Sequence, residues 1–212
     1  MTMAYTDKRV TEFLDLLACK DPTPGGGSGA ALGGALAAAL VSMVCNLTIG
    51  KKGYEDAEAA MQGILARSEA LRAELPRLLE ADTQVYGRVM DAYRLPRKTD
   101  EQKAARQEAM QAALRDATQV PLAIAERCAQ VVDLALPAAE HGNQWAVSDA
   151  GVGALLAEAS MHAALLNVSI NLASIEDQAY LVEVQRKMDA ITGGRQQTRD
   201  RVLEIVHRKI GA

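Results

Sequence analysis

The sequence predicts an all-α protein, a helical bundle built around a buried central helix rich in alanine and glycine. Residues 29–49 carry no charge, and their only polar breaks are Ser42, Asn46 and Thr48. Elsewhere, apolar residues recur at helical spacing and strand-like alternation is scarce. At 212 residues the chain can bury a substantial core, so we expect a single all-helical domain over residues 1–212.

The first helix is predicted over residues 7–18, because Val10, Phe13, Leu14 and Leu17 share one face.

The central helix is predicted over residues 29–49, since Ala and Leu are strong helix formers. Ser28 is the expected N-cap, and Gly50 and Gly53 are expected to stop the helix. A helix that is apolar all round must be buried on every side.

A long helix is predicted next, over residues 54–93, with a kink or break at Pro76 and an end at Leu95-Pro96. Thr99 and Gln102 match a capping box and open a helix that reaches Val120.

Pro121 is expected to separate that helix from a further one, which ends near Leu136. After a loop around residues 141–143, Ser148 and Asp149 are the expected N-cap pair of a second apolar helix, which ends near Ser174. Two amphipathic helices, over residues 177–191 and 198–210, close the sequence.

The central helix is long enough to span a bilayer, but the sequence favours a buried position in a cytoplasmic protein. Ala and Gly are weakly hydrophobic, Ser42 and Asn46 lie within the span, and no second candidate segment stands out. The 3 cysteines, Cys19, Cys45 and Cys128, lack CxxC spacing and are expected to be reduced core residues. We therefore expect no membrane partner.

Composition and motif spacing exclude several functional classes. The net charge of −4 and the aromatic content of 3% argue against nucleic-acid binding. No Cys or His pair has zinc spacing, and the single ExxH motif at residues 204–207 is too little for a di-iron bundle. The glycine run lacks a Walker lysine, and Ser28 has no recognisable His and Asp partners.

Asp82 lies on the same helical face as Leu79, Val85 and Tyr86. Burying an unpaired carboxylate is costly, so this Asp is expected to be neutralised, paired or functional. The structural alternative is that it reaches a loop or a neighbouring helix end.

A polar stripe follows the second apolar helix at steps of three and four residues: Ser160, Ala164, Asn167, Asn171 and Ser174. Its two asparagines could cap or bridge other helices, or they could hydrogen-bond a flat heterocycle. For Asp149, at the start of this helix, the commoner role is to stabilise the helix dipole.

Taken together, the motifs resemble the formiminotetrahydrofolate cyclodeaminase / methenyltetrahydrofolate cyclohydrolase family. The resemblance runs from about Thr11 to Asp177 and is carried by the segments 22–28, 42–52, 95–96, 120–122, 142–143 and 148–149, with Tyr54, Asp82 and Asn167. Segments 40–52 and 148–152 are most similar to stand-alone bacterial cyclohydrolases. Many members carry a third lysine where this chain has Gly53.

The resemblance implies an all-helical homodimer that binds folate near the subunit interface and needs no metal or redox cofactor. The activity it implies is hydrolysis of 5,10-methenyltetrahydrofolate to 10-formyltetrahydrofolate, favoured because no transferase domain is attached. The alternatives are release of ammonia from 5-formiminotetrahydrofolate and a non-catalytic folate-binding dimer.

With the resemblance, the candidate residues acquire roles. Asp82 is the expected base or cation-stabilising group, and Lys51 could assist proton transfer or bind the glutamate tail. The expected substrate-binding residues are Gly25, Gly26, Gly27, Ser28, Lys52, Tyr54, Asn143, Ser148, Asp149, Asn167 and Asn171.

Overall fold

The protein is described by a computed structural model that covers residues 4–211, and the predicted all-α class is confirmed for this range. These residues form helices and short 3₁₀ turns without a β-strand. The α-helices are α1 (Val10–Ala18), α2 (Gly26–Asn46), α3 (Glu58–Arg94), α4 (Asp100–His141), α5 (Val147–Leu172), α6 (Gln178–Thr192) and α7 (Arg195–Ile210). Single 3₁₀ turns precede α1, α3 and α5, at Tyr5–Asp7, Glu55–Ala57 and Gln144–Ala146.

Helix α2 runs through the middle of the bundle and packs against α3, α4 and α5. Helix α3 is antiparallel to it, because hydrogen bonds join Ser28 to Asp82 at one end and Ser42 to Ser68 further along. Helix α5 is also antiparallel to α2: Asn167, near its end, lies against Gly26. Helix α7 covers α4 and α5. The central position predicted for this helix is therefore confirmed.

The expectation that α2 is buried on every side is wrong for one face. Ala31, Ala37 and Val41 are fully buried, whereas Leu36 and Met43 are about half exposed. The exposed face lies between the sides that contact α3 and α5.

The predicted N-cap of the central helix is also wrong. Helix α2 begins at Gly26, three residues before the predicted start, and Gly25 is its N-cap. Ser28 lies inside the first turn, where its hydroxyl bonds to α3 instead of capping its own helix. The helix ends at Asn46, and Gly50 and Gly53 adopt positive φ angles of 72° and 88° in the turns that follow.

The predicted interruptions at Pro121 and Leu136 are wrong, since α4 is continuous to His141. A proline removes the N–H that would bond to the carbonyl four residues earlier, here that of Ala117. That carbonyl instead accepts a hydrogen bond of 2.9 Å from the side-chain amide of Asn171 on α5. The lost helical bond is thus replaced from a neighbouring helix. Helix α3 likewise continues through Pro76 without a break.

Of the helix starts predicted from capping side chains, some are confirmed and others are wrong. Thr99 forms the predicted capping box with Gln102, and Asp177 caps α6 through the N–H groups of Ala179 and Tyr180. The Ser148–Asp149 cap is wrong, because α5 begins at Val147 after a 3₁₀ turn.

Smaller differences concern the remaining ends and Cys19. Helix α1 begins at Val10 instead of residue 7, α5 ends at Leu172, and α7 begins at Arg195 after Gly194. Cys45 and Cys128 are free and buried, as predicted, but Cys19 is exposed, in contrast to the predicted core position.

Within residues 4–211, two helices, not one, are long and apolar enough to cross a membrane by length and composition. They are Gly26–Asn46 and Gln144–Leu172, with mean hydropathies of 1.8 and 1.3. The expectation of no second candidate segment is therefore wrong. In the bundle, 61% and 50% of their apolar windows are buried. Buried core helices satisfy the same criteria.

Candidate functional site

A cavity of about 400 Å³ opens at the N-terminal end of α2. This volume falls within the range of small-molecule sites. We call it the Asp82 cavity. It is lined by segment 22–27, by α3 from Asp82 to Tyr93, and by parts of α4 and α5. Six of the predicted site residues line it together: Gly25, Gly26, Gly27, Asp82, Asn167 and Asn171.

Asp82 is held by the first turn of α2. The Ser28 hydroxyl donates a hydrogen bond of 2.9 Å to Oδ2. The other oxygen, Oδ1, lies so close to the Cα of Gly27 that a side chain at that position would overlap it. Glycine is therefore required where α2 meets this carboxylate.

The pKa of Asp82 is raised from its ordinary value. Burial disfavours the charged form and is the largest effect, while hydrogen bonds from the Ser28 hydroxyl and backbone act in the opposite direction. A carboxyl group whose pKa is raised toward neutral pH accepts and returns a proton more readily than an ordinary aspartate does.

Asn167 and Asn171 line the same cavity and are anchored by backbone carbonyls. The Asn167 amide nitrogen donates to the carbonyl of Ala163, and that of Asn171 donates to Ala117, each at 2.9 Å. The bridging role considered for the stripe is thus present at Asn171. In both residues the side-chain oxygen forms no hydrogen bond within residues 4–211, so it remains available as an acceptor.

The long wall of the cavity on α3 lies outside the set of site residues predicted from the sequence. Tyr86 and Tyr93 follow Asp82 at spacings of four and eleven residues, so all three share one helix face. The sequence predicts Tyr86 on an apolar core face. That face lines the cavity beyond Asp82, and its i, i+4, i+11 spacing was the signal that could have identified both tyrosines.

The other predicted site residues do not line this cavity. Ser28 is fully buried beneath it. Near the opposite end of α2 lie Lys51, Lys52, Tyr54, Asn143, Ser148 and Asp149. A helix of 21 residues is about 30 Å long, so within one chain these residues are far from Asp82.

This second group has its own local contacts. Asn143 donates to the carbonyl of Leu47, and its side-chain oxygen accepts the N–H of Trp145. The Tyr54 hydroxyl accepts the N–H of Gln144, and Lys51 lies 6.0 Å from the Tyr54 ring centroid. The roles predicted for these residues stay predictions. Across residues 4–211, no group of three or more His, Cys, Asp or Glu side chains is arranged to hold a metal ion.

Comparison with known proteins places the chain in a family. The profile described as Formiminotransferase-cyclodeaminase matches residues 9–190. A methenyltetrahydrofolate cyclohydrolase from Methylorubrum extorquens is 45% identical over 96% of this chain and 98% of its own length. The chain belongs to the formiminotransferase-cyclodeaminase family.

Other members of the family are larger or differ more. The formimidoyltransferase-cyclodeaminase of Sus scrofa is 34% identical over 87% of this chain, which spans 34% of that protein. The crystal structure of formiminotetrahydrofolate cyclodeaminase from Thermotoga maritima superposes with a TM-score of 0.88 at 30% identity, covering 97% of this chain and 98% of its own. The expected family is thus confirmed.

Proposed function

We propose that this chain is a methenyltetrahydrofolate cyclohydrolase that converts 5,10-methenyltetrahydrofolate to 10-formyltetrahydrofolate. The observation that carries the proposal is the Asp82 carboxyl group, held by Ser28 in an elongated cavity of ligand size. The choice of reaction is supported by the 45% identity to the Methylorubrum extorquens cyclohydrolase, since the cyclodeaminase relatives named above are 30–34% identical.

Asp82 acts as a base toward water in this proposal. The substrate is an amidinium-like cation whose charge is shared by N5, N10 and the carbon that bridges them, so that carbon is already electrophilic. Water adds to it while Asp82 takes a proton. The adduct then collapses: the bond from this carbon to N5 breaks, N5 gains a proton, and the hydroxyl loses its proton to become the formyl oxygen. One proton is released overall.

The same cavity suits the alternative reaction of the family. In a cyclodeaminase, N10 attacks the formimino carbon of 5-formiminotetrahydrofolate, and ammonia leaves after protonation. The product is the substrate of the cyclohydrolase reaction, so both reactions use a cation beside Asp82. The names of the Sus scrofa and Thermotoga maritima relatives support this second candidate.

Two absorbance assays test the proposal. One follows loss of the near-ultraviolet band of 5,10-methenyltetrahydrofolate against an enzyme-free control, and the other follows its appearance from 5-formiminotetrahydrofolate. We expect loss in the first and no gain in the second. Gain in the second alone would identify a cyclodeaminase, and no change in either would support a non-catalytic folate-binding protein.

Asp82→Asn is the first variant to assay. A neutral amide cannot accept the proton, so kcat is expected to fall by about 10²- to 10⁴-fold. Circular dichroism should show unchanged helicity, because Asn fills the same space and can still accept the Ser28 hydrogen bond. Near-normal turnover would remove Asp82 from the mechanism.

We also propose that the protein is a homodimer through the outer faces of α2 and α5. We call this surface the α2–α5 face. It consists of exposed apolar residues that repeat at helical spacing on adjacent helices: Leu36, Met43, Leu47, Leu155, Leu166 and Ile170. Exposed apolar patches mark interaction surfaces. Helix α2 has no charged residue. In a symmetric dimer, the α2 of a second copy would therefore bring no charged side chain against the apolar patch.

The dimer is proposed to be antiparallel, with each α2 crossing its copy head to tail. Helix dipoles favour this orientation, and it separates the Lys51–Lys52 pairs of the two chains. It would also bring the end of one chain that carries Lys51 toward the Asp82 cavity of the other. Lys51 and Asp82 could then serve one site, although they are far apart within a chain.

A further inference from the structure

We propose that Arg106, at the outer end of the Asp82 cavity, binds the carboxylates of the substrate's glutamate tail. This inference rests on the proposed folate substrate. It assigns a binding residue on α4 that lies outside the set predicted from the sequence.

Arg106 is fixed against the last turn of α3. Its Nε donates a hydrogen bond of 3.1 Å to the carbonyl of Tyr93, and its guanidinium carbon lies 5.6 Å from the centroid of the Tyr93 ring. Tyr93 itself lines the cavity. A hydrogen bond and a cation–π contact therefore hold Arg106 against Tyr93, next to the cavity.

The charge of Arg106 is not compensated within residues 4–211. No carboxylate oxygen of this range forms an ion pair with it, whereas the neighbouring cations Arg94 and Lys103 pair with Asp91 and Asp100. Within residues 4–211, the only hydrogen bond of the Arg106 side chain uses Nε. Both terminal nitrogens, Nη1 and Nη2, therefore remain as donors. Two parallel N–H groups match a carboxylate in a bidentate pair.

The position of Arg106 suits the shape of a folate. From Asp82 to Tyr93, α3 rises eleven residues, or about 16 Å. In the substrate, a benzoyl ring and an amide separate the reacting carbon from the glutamate. With that carbon beside Asp82, the ring can pack along the wall formed by Tyr86 and Tyr93, which leaves the carboxylates near Arg106.

The test compares substrates that differ only in the tail. The values of kcat/KM are measured for 5,10-methenyltetrahydrofolate and for the corresponding tetrahydropteroate derivative, which has no glutamate. In the wild-type protein the glutamylated substrate should be preferred. In Arg106→Gln the ratio of the two values should fall about tenfold, the effect of losing one charge-assisted pair. Arg106→Lys should keep part of the preference.

Two variants serve as comparisons. Arg88→Gln removes an exposed arginine from the opposite side of α3 and should keep the wild-type ratio. Lys52→Gln tests the lysine first considered for tail binding. If Lys52→Gln lowers the ratio and Arg106→Gln does not, the inference is overturned.

The outcomes separate this inference from the proposed function. If Arg106→Gln turns over both substrates with the wild-type ratio of kcat/KM values, Arg106 does not bind the tail. The proposed reaction is unaffected by that result. Should the wild type turn over neither substrate, the reaction fails, and calorimetric titration with tetrahydrofolate and tetrahydropteroate tests the tail site directly. Equal affinity of the wild type for the two compounds also overturns the tail site.

Discussion

Ser28 contributes to the candidate site through Asp82 and not through contact with the ligand. Its side chain is fully buried, and its hydroxyl donates to the Asp82 carboxylate. The family resemblance, carried in part by segment 22–28, places it among the expected substrate-binding residues. Because Ser28 is buried beneath the cavity, it does not reach the ligand and acts as a positioning residue. Its hydrogen bond favours the ionised form of Asp82.

Replacing Ser28 with Ala is expected to shift the pH dependence of activity toward alkaline pH. Burial raises the pKa of Asp82, and the Ser28 hydrogen bond lowers it. Without the hydroxyl the pKa rises further, so the active carboxylate forms only at higher pH. The acidic limb of the kcat/KM profile for 5,10-methenyltetrahydrofolate should therefore move to higher pH, and kcat/KM at mildly acidic pH should fall severalfold.

Ser42→Ala is the matched control for this experiment. Ser42 is another buried hydroxyl that joins α2 to α3, through a bond of 2.8 Å to Ser68, but it does not contact Asp82. Its removal should leave the acidic limb in place. An unchanged limb in Ser28→Ala, or the same shift in both variants, would contradict the assigned role.

At the scale of the helices, the contact between Asn171 and α4 explains how Pro121 is accommodated. The helical bond that proline removes is replaced by the Asn171 amide, which donates to the Ala117 carbonyl. Pro121 and Asn171 both line the Asp82 cavity, so the same contact stabilises the cavity wall.

Asn171→Ala is expected to destabilise the protein by about 1–3 kcal/mol, the cost of leaving a buried carbonyl without a donor. Urea denaturation measures the change in the free energy of unfolding. In a Pro121→Ala background the backbone N–H is restored and bonds to Ala117, so the same Asn171→Ala substitution should cost less. Equal costs in the two backgrounds would show that the Asn171 bond does not replace the missing helical bond.

The helix starts that the sequence predicts correctly are those with a capping side chain. Thr99 and Asp177 start their helices as predicted, because their side chains form the capping bonds locally. Gly25 and Ala146 precede α2 and α5 without a capping side chain, and both starts were misplaced. The first turn of α2 is instead stabilised by Asp82, 54 residues away along the chain.

At the scale of the whole molecule, the α2–α5 face is an exposed apolar surface for which a single chain provides no covering element. Leu166 and Ile170 are 72% and 71% exposed, although their helix is otherwise a core element. Ile170 also lines the Asp82 cavity, so whatever covers this face also limits access to the cavity.

Leu166→Glu is expected to convert a dimer to a monomer, because association would bury a carboxylate without a partner. Size-exclusion chromatography with light scattering measures the mass against the 22.6 kDa of one chain. Val182→Glu is the control, since Val182 is an exposed apolar residue on α6, outside the α2–α5 face. A monomeric wild type, or dissociation by Val182→Glu but not by Leu166→Glu, would contradict the proposed interface.

The sequence by itself determined the helical class, the central position of α2 and the functional candidacy of Asp82 and Asn167. These features follow from local patterns, since helical spacing and the cost of a carboxylate on an apolar face can be read along one segment. Only the tertiary structure decided that Asp82 meets Gly27 and Ser28, and that the cavity continues along Tyr86. It also placed Lys51 and Lys52 beyond the end of α2 that is far from Asp82. Such contacts join segments distant in the chain, and helix packing selects them.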